Sequence, residues 1–311
     1  MGQKKAKQRN SSKPKSGLGP PVVDRRAMEK SLRDLGKLLS EREFGSLEAA
    51  NAFLQEIVAA GGPPPAASET PLEQAQALMY EAWDASGRQR VQLARQALEI
   101  SQDCADAYVL LAEDAAANLE EAKRFYAEGI QAGERALGAR AFQEDVGHFW
   151  GILETRPYMR ARLGLAQCLW VGERQQAIEH FTEMLRLNPG DNQGIRDLLV
   201  NCLLAERADE AVAKLLDQYE EDASATWLYS RALWMFRKAG ARGAEGQLRD
   251  ALDGNRYVPA YLLGMKRLPK TLPEYIGFGD ESEAIAYASE ALEVWHKTPG
   301  ALPWLASHLP H

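Results

Sequence analysis

Apolar residues recur at intervals of three and four along most of this chain, and the stripes they form are separated by short breaks of Gly, Pro, Asn and Ser. Met28, Leu32, Leu35 and Leu39 make a first stripe. Leu47, Ala50, Leu54, Ile57 and Val58 make a second, with Ser46 placed to cap it. Together they predict a helical hairpin over residues 22–62. Pro63-Pro64-Pro65 cannot continue a helix and begins a linker over 63–71. Thr70-Pro71-Leu72-Glu73 then joins a capping hydroxyl, a first-turn proline and a returning carboxylate, the pattern of a capping box. Leu72, Ala75, Leu78, Met79, Ala82 and Trp83 form the inner face of the helix behind it, and Val91, Ala94, Ala97 and Leu98 that of its partner. A further pair opens near Ala105, with Tyr108, Leu111 and Ala112, then Ala122, Phe125, Tyr126 and Ile130.

Between Tyr158 and Ala223 the chain superposes on itself when slid by thirty-four residues. Arg162 falls on Arg196, Gly164 on Leu198, Cys168 on Cys202, Ala177 on Ala211 and Ile178 on Val212. That period predicts helix–turn–helix repeats in which no helix buries its stripe until the next pair stacks on it. Another pair runs from Ala225 through Trp227, Leu228, Leu233 and Phe236 to Leu252. Four glycines and the Phe149-Trp150 pair break the period over 133–156, which reads as an insertion. Beyond residue 255, Pro259, Pro269, Pro273, Gly277 and Gly279 break it again, before Asp280 or Ser282 starts a last apolar-faced helix through Trp295. The expected fold is all-α: a tetratricopeptide-like right-handed helical solenoid over 72–254, with an N-terminal helical hairpin and a C-terminal cap over 255–311.

With 311 residues, 45% hydrophobic and 26% charged, the chain has the composition of a folded protein. It has no apolar run near the ~18 residues of a membrane span. A basic start without an apolar segment behind it predicts no secretory leader, and Ala6 breaks the myristoylation pattern. A cytoplasmic chain is expected. The net charge of −7 is uneven: Lys4, Lys5, Lys7, Arg9, Lys13 and Lys15 lie in residues 1–17 without an acid, leaving 31 basic against 44 acidic residues elsewhere, or −13. Residues 1–21 read as a disordered basic tail able to meet RNA or ribosomes through counterion release. The spacing of Cys104, Cys168 and Cys202 suggests neither zinc nor a disulfide framework, and the two that share a repeat position read as small packing residues.

Several blocks go beyond what a generic repeat requires. Cys104-Ala105-Asp106-Ala107-Tyr108, Gly147-His148-Phe149-Trp150, Glu154-Thr155-Arg156-Pro157-Tyr158-Met159-Arg160-Ala161-Arg162, Leu187-Asn188-Pro189 and Val258-Pro259-Ala260-Tyr261 resemble the suppressor-of-tumorigenicity-7 family and the bacterial tetratricopeptide proteins related to it. The resemblance covers roughly residues 70–305. It implies a tetratricopeptide-like fold, with no catalytic residues to carry over and without the N-terminal membrane segments of the eukaryotic members.

Counted along the repeat, Arg162 and Arg196 take equivalent places on the face that tetratricopeptide arrays turn to their groove. Two guanidinium groups one repeat apart suit a carboxylate or phosphate. Alternatively they pair with Asp197, Glu173 or Glu206. Arg156, Tyr158, Arg160 and Arg162 form a dense cationic cluster, in which 156 and 160 share one helix face and 158 and 162 another. Arg156 and Arg160 either bind a ligand or pin the insertion through Glu154 or Asp145. Trp227 and Trp234 are candidates for an exposed aromatic contact. His148 near Glu154 sketches an acid–base pair, against which stands a buried, backbone-bonded histidine. No phosphate loop, dinucleotide fingerprint, nucleophile elbow or zinc-protease motif occurs. The expectation is a non-enzymatic scaffold without cofactor or metal. It would bind an acidic or C-terminal protein segment in its groove. The alternative is an RNA- or ribosome-associated protein acting through the tail.

Overall fold

The computed structural model describes residues 26–40, 42–59, 70–273 and 275–309. The expected basic tail over 1–21 and most of the proline-rich linker lie outside these residues. Among the described residues there are fifteen helices and no strand, so the fold is all-α. The first part holds α1 (Arg26–Ser40), α2 (Leu47–Ala59), α3 (Pro71–Asp84), α4 (Arg88–Ile100), α5 (Ala105–Asp114) and α6 (Leu119–Glu144). The two sequence-matched pairs are α7 (Arg156–Leu169) with α8 (Arg174–Leu187), and α9 (Ile195–Ala205) with α10 (Asp209–Gln218). There follow α11 (Ala225–Gly243), α12 (Glu245–Gly254), α13 (Val258–Leu262), α14 (Glu281–His296) and α15 (Ala301–Ala306).

From α3 to α12 each helix packs on the next in sequence, and α3 on α5, α5 on α7 and α9 on α11 also touch across the intervening helix. The apolar stripes meet along these contacts. Ala75, Met79, Ala94, Ala97, Ala107 and Leu110 form a small-residue core at the first end. A larger core runs on from Val109 to Leu305, filled by Phe181, Leu199, Trp227, Tyr229 and Trp295. Cys104, Cys168 and Cys202 are all free and buried, and burial pushes the thiols of Cys104 and Cys168 up, to about 12 and about 11. Each behaves as a packing residue.

Local chemistry sets the helix ends. Thr70 accepts from the Glu73 amide at 3.2 Å while Glu73 accepts from the Thr70 amide at 2.7 Å, closing the expected box. Asp280, rather than Ser282, caps α14. The segment read as an insertion begins as helix: α6 continues to Glu144, and Gly138 at φ 69° lets the backbone turn within it. Gly164 of α7 leaves room for a side chain of α6: a β-carbon there would stand 2.1 Å from Cε1 of Tyr126. At the N-terminal end, α1 of the expected hairpin packs on α3. At the other end Glu283 of α14 accepts from the Ala225 amide at the start of α11 (3.0 Å) and from Nδ2 of Asn255 (2.9 Å), tying the terminal segment to the stack.

Candidate functional site

On α7, Arg156 and Arg160 are one helical turn apart and project from the same face. The acid that meets them comes from α1. Glu29, 3% exposed, accepts from Nη1 of Arg156 at 3.0 Å and from Nη1 of Arg160 with both oxygens at 3.0 Å. Arg160 also grips Asp106 of α5 with two parallel bonds, Nε to Oδ1 at 2.7 Å and Nη2 to Oδ2 at 2.6 Å. Gln76 of α3 donates to the same Asp106 Oδ2 at 2.8 Å, so α1, α3, α5 and α7 share one buried polar network. Aromatic faces flank it: the Arg160 guanidinium lies 5.3 Å from the ring centre of Trp83, and that of Arg156 lies 5.2 Å from Trp150. Arg156 further donates from Nε to the Trp150 carbonyl at 2.9 Å, which holds the 145–155 segment against α7.

The electrostatics follow from this enclosure. Burial works against the charge on Arg160, but Asp106 and Glu29 outweigh it and raise its pKa further. Along α1 the same docking continues, with Arg33 5.0 Å over the Tyr80 ring and Lys37 bonded to Glu73 at 2.8 Å. The hydrogen bonds from Lys37 and Thr70 hold the Glu73 carboxyl at about 2. The arrangement can hold a carboxylate carried on a helix, with charge, geometry and aromatic walls all supplied. It contains no nucleophile–base pair. No group of His, Cys, Asp and Glu suited to a metal occurs among the described residues.

The other candidates are placed differently. Tyr158 is 2% exposed and packs edge-on to Phe142, and its hydroxyl accepts from Arg162. It is a core residue. Arg162 lies over the Tyr158 ring and feels His180 and Glu183 of α8, while its Nε has no hydrogen-bond partner. Arg196 is held by Asp222 at 2.8 Å and Asp191 at 3.6 Å, and its guanidinium lies 5.2 Å from the ring centre of Tyr219 and 5.9 Å from that of Trp227. Asp191 itself caps α9 through the amides of Ile195 (2.7 Å) and Arg196 (2.9 Å), and burial raises its carboxyl to about 6. Arg162 and Arg196 thus serve separate environments; of the acids weighed for them from the sequence, Asp197 acts on Arg196 through its charge, though without a direct hydrogen bond. Trp227, expected as an exposed contact, is 1% exposed and belongs to the core. Trp234 is half-buried, donates to the Asp209 carbonyl at 3.2 Å and lies under Lys238. His148 and Glu154 are both exposed, so His148 is not the buried histidine weighed above.

Glu29 and Asp106 escaped the sequence reading. Asp106 left a trace there, as the one acid in the otherwise apolar run from Cys104 to Ala112, where a buried carboxylate demands a cation. Glu29 left none, since it lies 131 residues from Arg160.

The profile of the ST7 protein family matches residues 67–308. The chain belongs to the ST7 family. Among curated relatives, the suppressor of tumorigenicity 7 protein-like of Gallus gallus is 29% identical over 259 residues, 75% of this chain and 46% of the relative. The protein of that name in Homo sapiens is 30% identical over 250 residues, 72% of this chain and 43% of the relative. The ST7 homolog of Drosophila melanogaster is 30% identical over 251 residues, covering 72% and 47%. The chain therefore spans less than half the length of these relatives. The ST7 match contains Asp106, Arg156 and Arg160, whereas α1 with Glu29 precedes it. No helix among the described residues is long and apolar enough to cross a membrane.

Proposed function

We propose that this ST7-family chain is a non-enzymatic, cytoplasmic scaffold that receives a helical protein segment. In this reading its helix pairs stack as a tetratricopeptide-like right-handed solenoid, in which α3, α5 and α7 line the inner face. The observation that carries it is Glu29 seated between Arg156 and Arg160, one helix of the chain lying where a partner's helix would lie. The thirty-four-residue period and the contacts of α3 with α5 and α5 with α7 support the stacking. The location of the two arginines inside the family match, and of their occupant outside it, supports an exchangeable occupant. The preferred partner is an amphipathic helix presenting a glutamate or aspartate.

The test loosens the chain's own occupant. Glu29→Lys sets a third cation against Arg156 and Arg160 and should release α1. A labelled peptide of residues 26–40 added in trans should then bind the variant at least about tenfold more tightly than the unaltered chain. The same peptide carrying glutamine for Glu29 should bind neither. Equal affinity for both peptides, or no binding to the loosened chain, would refute the reading.

A further inference from the structure

A cavity of about 500 Å³ opens between α9, α11 and α14, beneath the turn that joins α7 to α8. Its volume falls in the range of small-molecule sites, roughly 300–1,000 Å³. Arg174, Arg207, Arg237 and Lys297 line it against two carboxylates, Glu290 and Glu293. Two of these cations have carboxylate partners: Arg174 is bonded to Glu206 at 2.7 Å, and Lys297 to Glu293. The other two are bonded to neutral oxygens. Arg237, half-buried, donates Nε and Nη2 to the Thr298 hydroxyl (3.0 and 2.7 Å) and Nη1 to the Leu204 carbonyl (2.7 Å). Arg207 reaches the Lys297 carbonyl at 3.4 Å.

Burial lowers the pKa of Arg237 more than the charge of Asp209 raises it, and Arg207 adds a like charge. A bound anion would add a counter-charge within the cavity. Asn201 also lines the cavity; it is 5% exposed and donates Nδ2 to Glu290 at 3.2 Å and to the Asp197 carbonyl at 3.0 Å, which fixes Glu290 in the wall.

We propose that this cavity binds a small organic acid whose phosphate or carboxylate head group lies against Arg207 and Arg237. The site is separate from the Arg156–Arg160 network, and the inference does not depend on the scaffold reading.

Calorimetric titration of the full chain with glycerol 3-phosphate, glycerate and glycerol tests it. These probes share hydroxyls and differ in the head group. At least one acid should bind in one-to-one ratio with a Kd of about 1 mM or tighter, and glycerol should not. The stronger acid identifies the head group as phosphate or carboxylate. Arg237→Met and Arg207→Met should each weaken binding about tenfold or more, while Arg249→Met, on the exposed face of α12, should leave it unchanged. Should Arg237→Met fold poorly in a thermal melt, Arg207→Met decides, since its side chain lies on an exposed turn. Absence of binding by both acids, or undiminished binding by the Arg207 variant, would overturn the proposal.

Discussion

Arg160→Met should be among the most damaging single changes to this fold, and a second change should repair part of the harm. The side chains of Arg160 and Asp106 are 9% and 0% exposed, and their two bonds are 2.7 and 2.6 Å long. Removing the arginine strands Asp106 in the interior, with Gln76 as its remaining side-chain donor. Breaking a buried pair in this way costs about 3–5 kcal/mol. Asp106→Asn alone costs less, about 2–3 kcal/mol, because Arg160 keeps Glu29 while charged hydrogen bonds are lost. Combined with Arg160→Met, however, Asp106→Asn removes the stranded charge and keeps an acceptor for Gln76. It should therefore raise stability in that background, reversing its own sign. Urea unfolding of the four proteins measures this as a coupling energy of about 2 kcal/mol or more. The coupling should barely change between 0.1 and 1 M salt, since a pair this enclosed is weakly screened. Purely additive effects, or a second loss of stability on adding Asp106→Asn, would refute the account of this network as a mutually dependent ion pair.

Three other outcomes follow from individual positions. Burial, and then Asp197, raises the Glu290 carboxyl to about 7. The folded chain therefore holds this proton more tightly than the unfolded one, and stability is lost as pH rises from about 4.5 to about 7. Glu290→Gln should change little at pH 4 and add about 1–3 kcal/mol at pH 8 in urea melts. Arg207 has φ 56°, which costs a residue with a β-carbon roughly 1–2 kcal/mol. Arg207→Gly should thus raise the melting temperature by a few degrees while weakening acid binding. Gly164→Ala forces a β-carbon to 2.1 Å from the Tyr126 ring and should cost about 1–3 kcal/mol, seen as a lower urea midpoint.

What was legible in the sequence was whatever is settled within about one repeat. The capping box at Thr70 and Glu73 lies inside four residues, and the matched pairs α7–α8 and α9–α10 follow from apolar period alone. The division of Arg156 and Arg160 from Tyr158 and Arg162 onto two faces also held, being a property of one helix. What failed depended on distant chain. Arg156 and Arg160 take their acids from 127 and 131 residues away in α1, and Arg160 a further one 54 residues away in α5, rather than from nearby Glu154 or Asp145. Position within the repeat placed Trp227 on the open face, but Tyr219 and Arg196 close over it. Glycines at 133 and 138 suggested a broken helix: Gly133 instead stays helical and serves a close approach to Tyr158, whereas Gly138, at φ 69° and ψ 166°, does break the helical path.

The ion pair between Glu29 and Arg160 also fixes an order of events during synthesis. Helix pairs between α3 and α6 join neighbours in sequence and can close as soon as each second helix emerges. Glu29 must wait for a residue 131 positions later. At translation rates of about 5–20 residues per second, that delay is roughly 7–26 s. Over that interval α1 has neither Arg156 nor Arg160 to meet, while Asp106, once made, waits for a residue 54 positions later, roughly 3–11 s, without its cation. The clasp therefore forms late, on a stack already assembled, and a nascent chain passes through a period in which the face of α3 and α5 is open to whatever acidic helix the ribosome's surroundings provide.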